Sequence, residues 1–143
     1  MNLTLKSSSV EQTLEIAGNL AKKLKGDELI LFYGDLGAGK TVFIKGIVEF
    51  FGVNKSEVVS PTFTLLNEYK TTNFNIYHFD LYRIGESVSE YFYEIDDLLG
   101  EGLILVEWSE YLSDYYKSLK STINIKISIE SNERIISIYT SLL

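Results

Sequence analysis

Apolar residues recur at helical spacing near the start of the chain and predict a first helix. They are Val10, Leu14, Ala17, Ala21 and Leu24. Steps of three, four or seven residues place them on one face of a helix, as in a helix packed on a core. Ser9, followed three positions later by Gln12, matches a capping box. Gly26 then ends the helix, so we expect it to precede the first buried strand.

Two runs further along the chain are almost wholly apolar and predict buried strands. They are residues 28–33 ("ELILFY") and residues 102–108 ("GLILVEW"). Residues 62–69 and 73–80 predict two further strands joined by a polar turn. Near the end, "INIKISIE" and "RIISIYT" alternate apolar and polar positions around "SNE", which predicts a hairpin.

Helical patterns separate these strands. Residues 40–51 and 86–99 predict helices, and residues 109–120 predict a weaker one. Fully apolar strands separated by helices are typical of a sheet that is covered on both faces. The sequence therefore predicts an α/β fold.

Composition narrows the class of protein. The chain has 143 residues, which favours a single domain spanning residues 1–143. The net charge of −7 disfavours an independent reader of nucleic acid, because phosphate backbones repel acidic surfaces. The absence of cysteine excludes disulfides and thiolate metal sites. Without a signal-peptide pattern or an apolar run of membrane-spanning length, we expect a cytoplasmic protein that does not bind a membrane.

Residues 34–41, "GDLGAGKT", match the phosphate-binding P-loop pattern between a predicted strand and a predicted helix. Glycines allow backbone N–H groups to surround phosphates without interference from side chains. The amino end of the following helix adds a positive dipole. Lys40 supplies a cation for the β- and γ-phosphates, and the Thr41 hydroxyl is a ligand suited to Mg²⁺. The pattern predicts binding of a nucleoside triphosphate.

Two acidic residues are candidates for the rest of the site. Glu107 ends the fully apolar run, which makes its strand the better neighbour for the P-loop strand and Glu107 the first choice for the metal side. Asp80 ends a more mixed run and is then the candidate to orient or deprotonate the attacking water. For each carboxylate the alternative is a solvated strand end.

Three residues close to these motifs in the sequence each have two interpretations, one functional and one structural. Pro61 fixes the approach of Thr62, which either reaches Mg²⁺ or the γ-phosphate or simply enters a strand. His78 shares a strand face with Asp80, and both a direct role and a structural one are open. Trp108 either lies near the nucleotide or fills the core.

Other kinds of P-loop protein fit less well. "NKSE" at residues 54–57 imitates a guanine-reading motif, but it stands too early in the chain for a GTPase. A small-molecule kinase usually needs several arginines, and this chain has only Arg83 and Arg134. A module without catalytic activity would leave the phosphate and metal residues unexplained.

Taken in order, "GDLGAGKT", "SPTF", "EY", "HFDLYR" and "EW" resemble the TsaE family of bacterial tRNA threonylcarbamoyladenosine biosynthesis proteins, once known as YjeE. The resemblance runs from about the first helix to a little beyond Trp108. It implies a three-layer αβα P-loop NTPase fold with a mostly parallel central sheet and a C-terminal antiparallel hairpin. It also implies slow hydrolysis of ATP with Mg²⁺.

The resemblance further implies partners and a pathway. Family members work with the proteins TsaB and TsaD to attach a threonylcarbamoyl group to the adenosine beside the anticodon, in tRNAs that read codons beginning with A. The tRNA is then contacted mainly through the complex, which agrees with the acidic composition.

The family's functional residues fall on matching positions here. The resemblance implies nucleotide contacts from Thr13, Gly37, Ala38, Gly39, Lys40, Thr41, Thr62 and Trp108. It places Thr41 and Glu107 at the metal, and Asp80 with Lys40 in catalysis. Thr13 corresponds to a threonine near the adenine, on a short motif. Two departures are Ser109, where family members often have proline, and Glu94 with Ile95, where a short "LGL"-like turn is expected.

Overall fold

The computed structural model describes residues 2–61 and 64–140, and it has the α/β fold that the sequence predicts. The strands are β1 (Asn2–Ser7), β2 (Leu29–Tyr33), β3 (Leu66–Lys70), β4 (Asn75–Asp80), β5 (Leu103–Glu107), β6 (Thr122–Glu130) and β7 (Glu133–Thr140). The α-helices are α1 (Val10–Ala21), α2 (Lys40–Phe50), α3 (Phe92–Leu98) and α4 (Asp114–Lys117). Short 3₁₀ helices occupy Lys55–Glu57, Gly85–Tyr91 and Ser109–Tyr111.

Within the described ranges, the strands form one sheet in the order β1-β7-β6-β2-β5-β4-β3. The four strands β6, β2, β5 and β4 are parallel to one another. Strands β7, β1 and β3 run antiparallel to their neighbours, so the predicted mostly parallel sheet is parallel only in its centre. The carboxyl ends of the central strands meet at one edge, where ligands bind in open α/β sheets.

Helices cover both faces of the sheet, as the apolar strands predict. Alternate residues of β2 serve the two faces: Ile30 and Phe32 pack toward α1 and α2, whereas Leu29 and Leu31 pack toward α3 and α4. All four side chains are buried to 1% exposure or less. Strand β2 therefore lies at the centre of a three-layer domain, and this fixes the position of the loop that follows it.

Helix α1 lies very close to helix α2 because Gly46 has no side chain. A Cβ atom at position 46 would stand 2.6 Å from the Cβ of Ala17 and 2.9 Å from the carbonyl oxygen of Leu14. This close approach brings the amino end of α1, which includes Thr13, beside the amino end of α2. The Ser9 side chain caps α1 by accepting a hydrogen bond from the Gln12 N–H at 3.1 Å, as predicted. The Gln12 side chain reaches back to the Ser8 N–H at 2.8 Å, one residue earlier than in a standard capping box.

The hairpin prediction is confirmed, and strand β1 is an addition to the predicted fold. Ser131 and Asn132 form the turn between β6 and β7, and both have positive φ angles of 50° and 67°. Two such residues match the twist of the flanking strands. The sequence does not predict β1, because its apolar positions are few and it is held mainly by backbone pairing to the edge strand β7.

Three predicted elements have different bounds in the structure. The strand predicted over residues 62–69 begins only at Leu66 in its described part, because Leu65 has a left-handed φ of 69°. The helix predicted over residues 86–99 is a 3₁₀ helix followed by the short α3, which no side chain caps. The helix predicted over residues 109–120 is a 3₁₀ turn and α4, separated by Leu112 in an extended conformation. Serines in these stretches compete with helical hydrogen bonding.

Among the described residues, none of the helices combines the length and the apolar character that crossing a bilayer requires.

Candidate nucleotide-binding site

The glycine loop lies between β2 and α2 at the carboxyl edge of the central strands. Gly37 and Gly39 have φ angles of 77° and 110°, in the left-handed region that favours glycine. Gly34 is required by close contact, since a Cβ there would stand 2.4 Å from the carbonyl oxygen of Ile127. In the described chain, α2 has neither a capping side chain nor an acidic residue in its first turn. Its first N–H groups are therefore suited to an anion.

The Lys40 side chain is folded back over the loop. Its ammonium group donates a hydrogen bond to the carbonyl of Gly34 and lies 3.7 Å from the centre of the Trp108 ring. Burial lowers the pKa of Lys40, whereas Glu110 and Glu107, nearby acidic residues, act in the opposite direction. The loop thus presents one largely buried cation, held by a carbonyl and an aromatic face.

Thr41 and Glu107 meet beside Lys40. The Thr41 hydroxyl donates to Oε1 of Glu107 at 3.0 Å, and the Glu107 side chain is almost wholly buried. This contact joins the first turn of α2 to the end of β5, 66 positions later in the chain. Hydroxyl and carboxylate oxygens are the ligands that Mg²⁺ prefers.

Asp80 ends β4 directly beside Glu107, its register partner on β5. Its Oδ1 accepts the Tyr82 N–H at 2.9 Å, and its Oδ2 accepts a hydrogen bond from the Ser60 hydroxyl. The carboxylate is 3% exposed. These donors fix the orientation of the carboxylate.

His78 connects this edge of the site to the interior of the sheet. Its Nε2 lies 2.6 Å from Oε2 of Glu107, and its Nδ1 lies 3.2 Å from the hydroxyl of Tyr69. His78 is completely buried. Its side chain therefore has no access to the solvent, and its contact with Glu107 connects it to the site.

Two cavities lie side by side along the glycine loop. The first has a volume of about 360 Å³ and is lined by the loop with Lys40, Thr41, Ser60, Asp80, Tyr82, Glu107 and Trp108. The second has a volume of about 270 Å³ and is lined by Ser7, Ser8, Ser9, Val10, Thr13, Asn132 and Arg134. Gly37, Gly39 and Val42 line both cavities. Together the cavities form a site longer than a phosphate group, with the phosphate-binding features at one end.

Most of the residues singled out in the sequence lie in this region. The loop residues from Gly37 to Thr41, with Asp80, Glu107 and Trp108, line the first cavity. Thr13 lines the second, with its hydroxyl 2.6 Å from that of Ser7. The prediction for Thr62 lies outside the described residues.

The structure adds residues that sequence reasoning did not assign to the site. Ser60 lies beside Asp80, and the only sequence signal for it is its place in "SPTF". Glu110 accepts the Gly34 N–H at 2.9 Å, and Arg134 donates to the carbonyl of Gly37 at 3.3 Å. Neither stands in a motif.

The donor set fits a Mg²⁺ ion that is shared with a nucleotide. Within residues 2–61 and 64–140, no group of three or more histidine, cysteine or acidic side chains is arranged to bind a metal by itself. Mg²⁺ is usually bound through one or two protein oxygens together with phosphate and water. The pair formed by Thr41 and Glu107 matches that pattern.

Comparison with known proteins gives a consistent family. Residues 7–136 match the family model described as threonylcarbamoyl adenosine biosynthesis protein TsaE. A tRNA threonylcarbamoyladenosine biosynthesis protein TsaE from Rickettsia conorii is 39% identical over 134 residues, which cover 94% of this chain and 76% of that protein. The protein of the same name from Aquifex aeolicus is 44% identical over 103 residues, covering 71% and 73% of the two chains.

A solved structure is similar as well. The crystal structure of YdiB from Bacillus subtilis superposes with a TM-score of 0.71 at 31% sequence identity. The match covers 96% of this chain and 84% of the YdiB chain. The similarity thus extends over almost the whole chain.

Proposed function

The chain belongs to the TsaE family of threonylcarbamoyl adenosine biosynthesis proteins, and from this premise we propose that it binds ATP with Mg²⁺ and hydrolyses it slowly to ADP and phosphate. The family is nucleotide-binding and acts in tRNA modification. The proposal concerns which nucleotide this chain uses, which residues act on it and which proteins it assists.

The proposal rests on one observation, the convergence of three groups in the first cavity. The Lys40 ammonium, the Thr41 hydroxyl and the Glu107 carboxylate all line this cavity at the amino end of α2. Phosphoryl transfer requires mainly positioning and charge stabilisation, and these groups supply both. A bound Mg²⁺ ion would neutralise charge on the β- and γ-phosphates, and Thr41 and Glu107 are the residues that would bind it.

Asp80 is the group proposed to act on water. Its carboxylate is oriented by the Tyr82 N–H and the Ser60 hydroxyl, and it lines the same cavity as Lys40. A carboxylate in this position can accept a hydrogen bond from water and direct the water lone pair toward the terminal phosphate. Lys40 stabilises the charge that builds up on the phosphate oxygens during transfer.

The second cavity is the proposed location of the adenine and ribose. Thr13 lines it, and the loop residues that separate it from the first cavity are the proposed contacts to the connecting phosphates. The Trp108 ring lies 3.7 Å from the Lys40 ammonium, which supports a position of Trp108 near the phosphates. Gly37, Ala38 and Gly39 supply backbone N–H groups to the same phosphates.

The proposed partners are TsaB and TsaD, with which the chain would support threonylcarbamoyl modification of the adenosine beside the anticodon in tRNAs reading codons that begin with A. A net charge of −7 supports contact with tRNA mainly through the complex. The proposed location is the cytoplasm, where tRNA modification takes place. Hydrolysis changes the partners only if they bind the ATP and ADP forms with different affinities.

Phosphate release from ATP and from GTP tests the activity directly. We expect slow release from ATP that requires Mg²⁺, weaker release from GTP, and loss of release in Asp80→Asn. The rate should change when TsaB and TsaD are added. Equal release from both nucleotides would contradict the assignment to ATP, and unchanged release in Asp80→Asn would contradict the role of Asp80.

A further inference from the structure

Tyr69, His78 and Glu107 form a hydrogen-bonded row across three adjacent strands. In the sheet register, His78 on β4 stands opposite Asn67 on β3 and Leu105 on β5. Tyr69 and Glu107 each lie two residues beyond those partners, so both side chains are on the same sheet face as the imidazole. The row begins in the interior of the domain and ends at the first cavity.

The hydrogen bonds along the row assign the protons. Oε2 of Glu107 lies 2.6 Å from Nε2 of His78, and a carboxylate oxygen only accepts hydrogen bonds, so Nε2 is the donor and Nδ1 is left to accept from the Tyr69 hydroxyl, 3.2 Å away. An imidazole that accepts at Nδ1 carries its proton on Nε2. That proton is directed at Oε2 of Glu107, 2.6 Å away.

The two oxygens of Glu107 therefore have different neighbours. Oε2 faces the imidazole N–H, and Oε1 faces the Thr41 hydroxyl on the side of the cavity. Without the imidazole, the carboxylate would lose its buried donor and could rotate about its last bond. A ligand oxygen that is free to rotate binds a metal ion less tightly than one that is already oriented.

We propose that His78 is a positioning residue for metal binding, which fixes the Glu107 carboxylate so that Oε1 is directed at the magnesium side of the site. The inference rests on the proposed function, because it assumes that Glu107 binds the metal. His78 does not contact the nucleotide in this account. It acts through Glu107 alone, and Tyr69 acts one step further back by keeping the imidazole proton on Nε2.

A pair of substitutions at position 78 separates this role from simple packing. Glutamine places its amide nitrogen about where histidine has Nε2, so His78→Gln keeps a donor to Glu107. Asparagine is one methylene shorter, so the donor of His78→Asn lies near the Nδ1 position and does not reach Glu107. Both changes remove the ring, and because asparagine also leaves a larger cavity at this buried position, ADP affinity in EDTA serves as the control for an intact site.

Binding of Mn²⁺ to the ADP complex, followed by electron paramagnetic resonance, is the first measurement. We expect His78→Asn to lower the Mn²⁺ affinity by about 10–100-fold, as loss of a hydrogen-bonded partner of a metal ligand typically does. His78→Gln should retain most of the affinity. ADP affinity measured in EDTA should be equal in the three proteins. Unchanged Mn²⁺ affinity in His78→Asn, or an equal loss in both variants, would overturn the proposal.

Nitrogen NMR of the imidazole, the only one in the sequence, tests the row without any ligand. We expect a proton on Nε2 in the unaltered protein and in Tyr69→Phe, with a weaker preference for Nε2 in the latter. A proton on Nδ1 alone would overturn the proposal. Failure of the unaltered protein to bind ADP would instead contradict the proposed function, and the NMR result would still decide where the imidazole donates.

Discussion

Replacing Lys40 with alanine should weaken ATP binding, because the site would lose the cation that is proposed to face the terminal phosphates. In the structure the ammonium already has partners: the Gly34 carbonyl and the Trp108 ring. When phosphates bind, the ammonium must break these contacts or share its hydrogen bonds between them and the phosphates. The effect of the substitution is therefore the difference between the phosphate contacts and the contacts in the free protein.

The size of that difference follows from typical interaction energies. Two charge-assisted hydrogen bonds to phosphate contribute about 3–6 kcal/mol in total. The carbonyl hydrogen bond contributes about 1.5–3 kcal/mol and the cation–π contact about 0.5–2 kcal/mol in the free protein. The net loss in binding is then about 1 kcal/mol when like ends of these ranges are compared, which corresponds to an increase in Kd of about 5-fold.

Isothermal titration calorimetry with ATP in the presence of Mg²⁺ is the assay. Lys126→Ala is a matched control, because it removes the same charge from an exposed position on β6 that lines a different cavity beside Gly34. We expect Lys126→Ala to bind ATP almost as the unaltered protein does. Unchanged affinity in Lys40→Ala, or an equal loss in both variants, would refute the assignment of Lys40 to the phosphates.

Two further predictions concern the acidic pair and the far side of the sheet. Glu107→Gln should raise the Mg²⁺ concentration needed for tight ATP binding, since the proposed ligand loses its charge. Asp80→Asn should bind ATP normally but hydrolyse it slowly. Metal titrations and turnover rates of both variants test this, and the opposite pattern would show that the two roles are reversed. Tyr116 donates to Asp96 at 2.6 Å, and burial and this carboxylate raise its pKa above the ordinary 10.0. The folded form releases this proton at a higher pH than the unfolded form does. The Tyr116 hydroxyl therefore stabilises the folded form fully below pH 10, and this stabilisation is lost as the pH rises through the raised pKa. Tyr116→Phe should reduce the free energy of unfolding by about 1 kcal/mol at neutral pH, as measured by urea denaturation. The free energy of unfolding should also fall less steeply above pH 10 in this variant than in the unaltered protein, and an equally steep fall would contradict the prediction.

Sequence patterns predict the central strands and the glycine loop well, because their signals are local. An apolar run such as residues 102–108 has few alternatives to a buried strand, and β5 indeed lies beside β2. The loop combines glycines with a lysine and a threonine at fixed spacing. Strand β1 and the 3₁₀ helix Gly85–Tyr91 lack such signals, since edge pairing and neighbouring turns determine their conformation.

Contacts between distant residues are what the sequence does not predict. His78 and Glu107 are 29 positions apart, and Arg134 and Gly37 are 97 apart. Such pairs depend on the order of strands in the sheet and on their register, and neither can be read from composition or periodicity. The sequence left the role of His78 open, and only the placement of β4 between β3 and β5 links its imidazole to both Tyr69 and Glu107.

Threonylcarbamoyl modification of tRNA in living cells tests the central claim most directly. In a strain whose only copy of this protein is Asp80→Asn, we expect mass spectrometry of tRNA nucleosides to show loss of the modification, although the variant still binds ATP and still copurifies with TsaB and TsaD. Asparagine retains an oxygen that can accept the Tyr82 N–H, so the fold at the end of β4 should be preserved. Full modification in that strain, together with absence of ATP hydrolysis by the purified variant, would contradict the account.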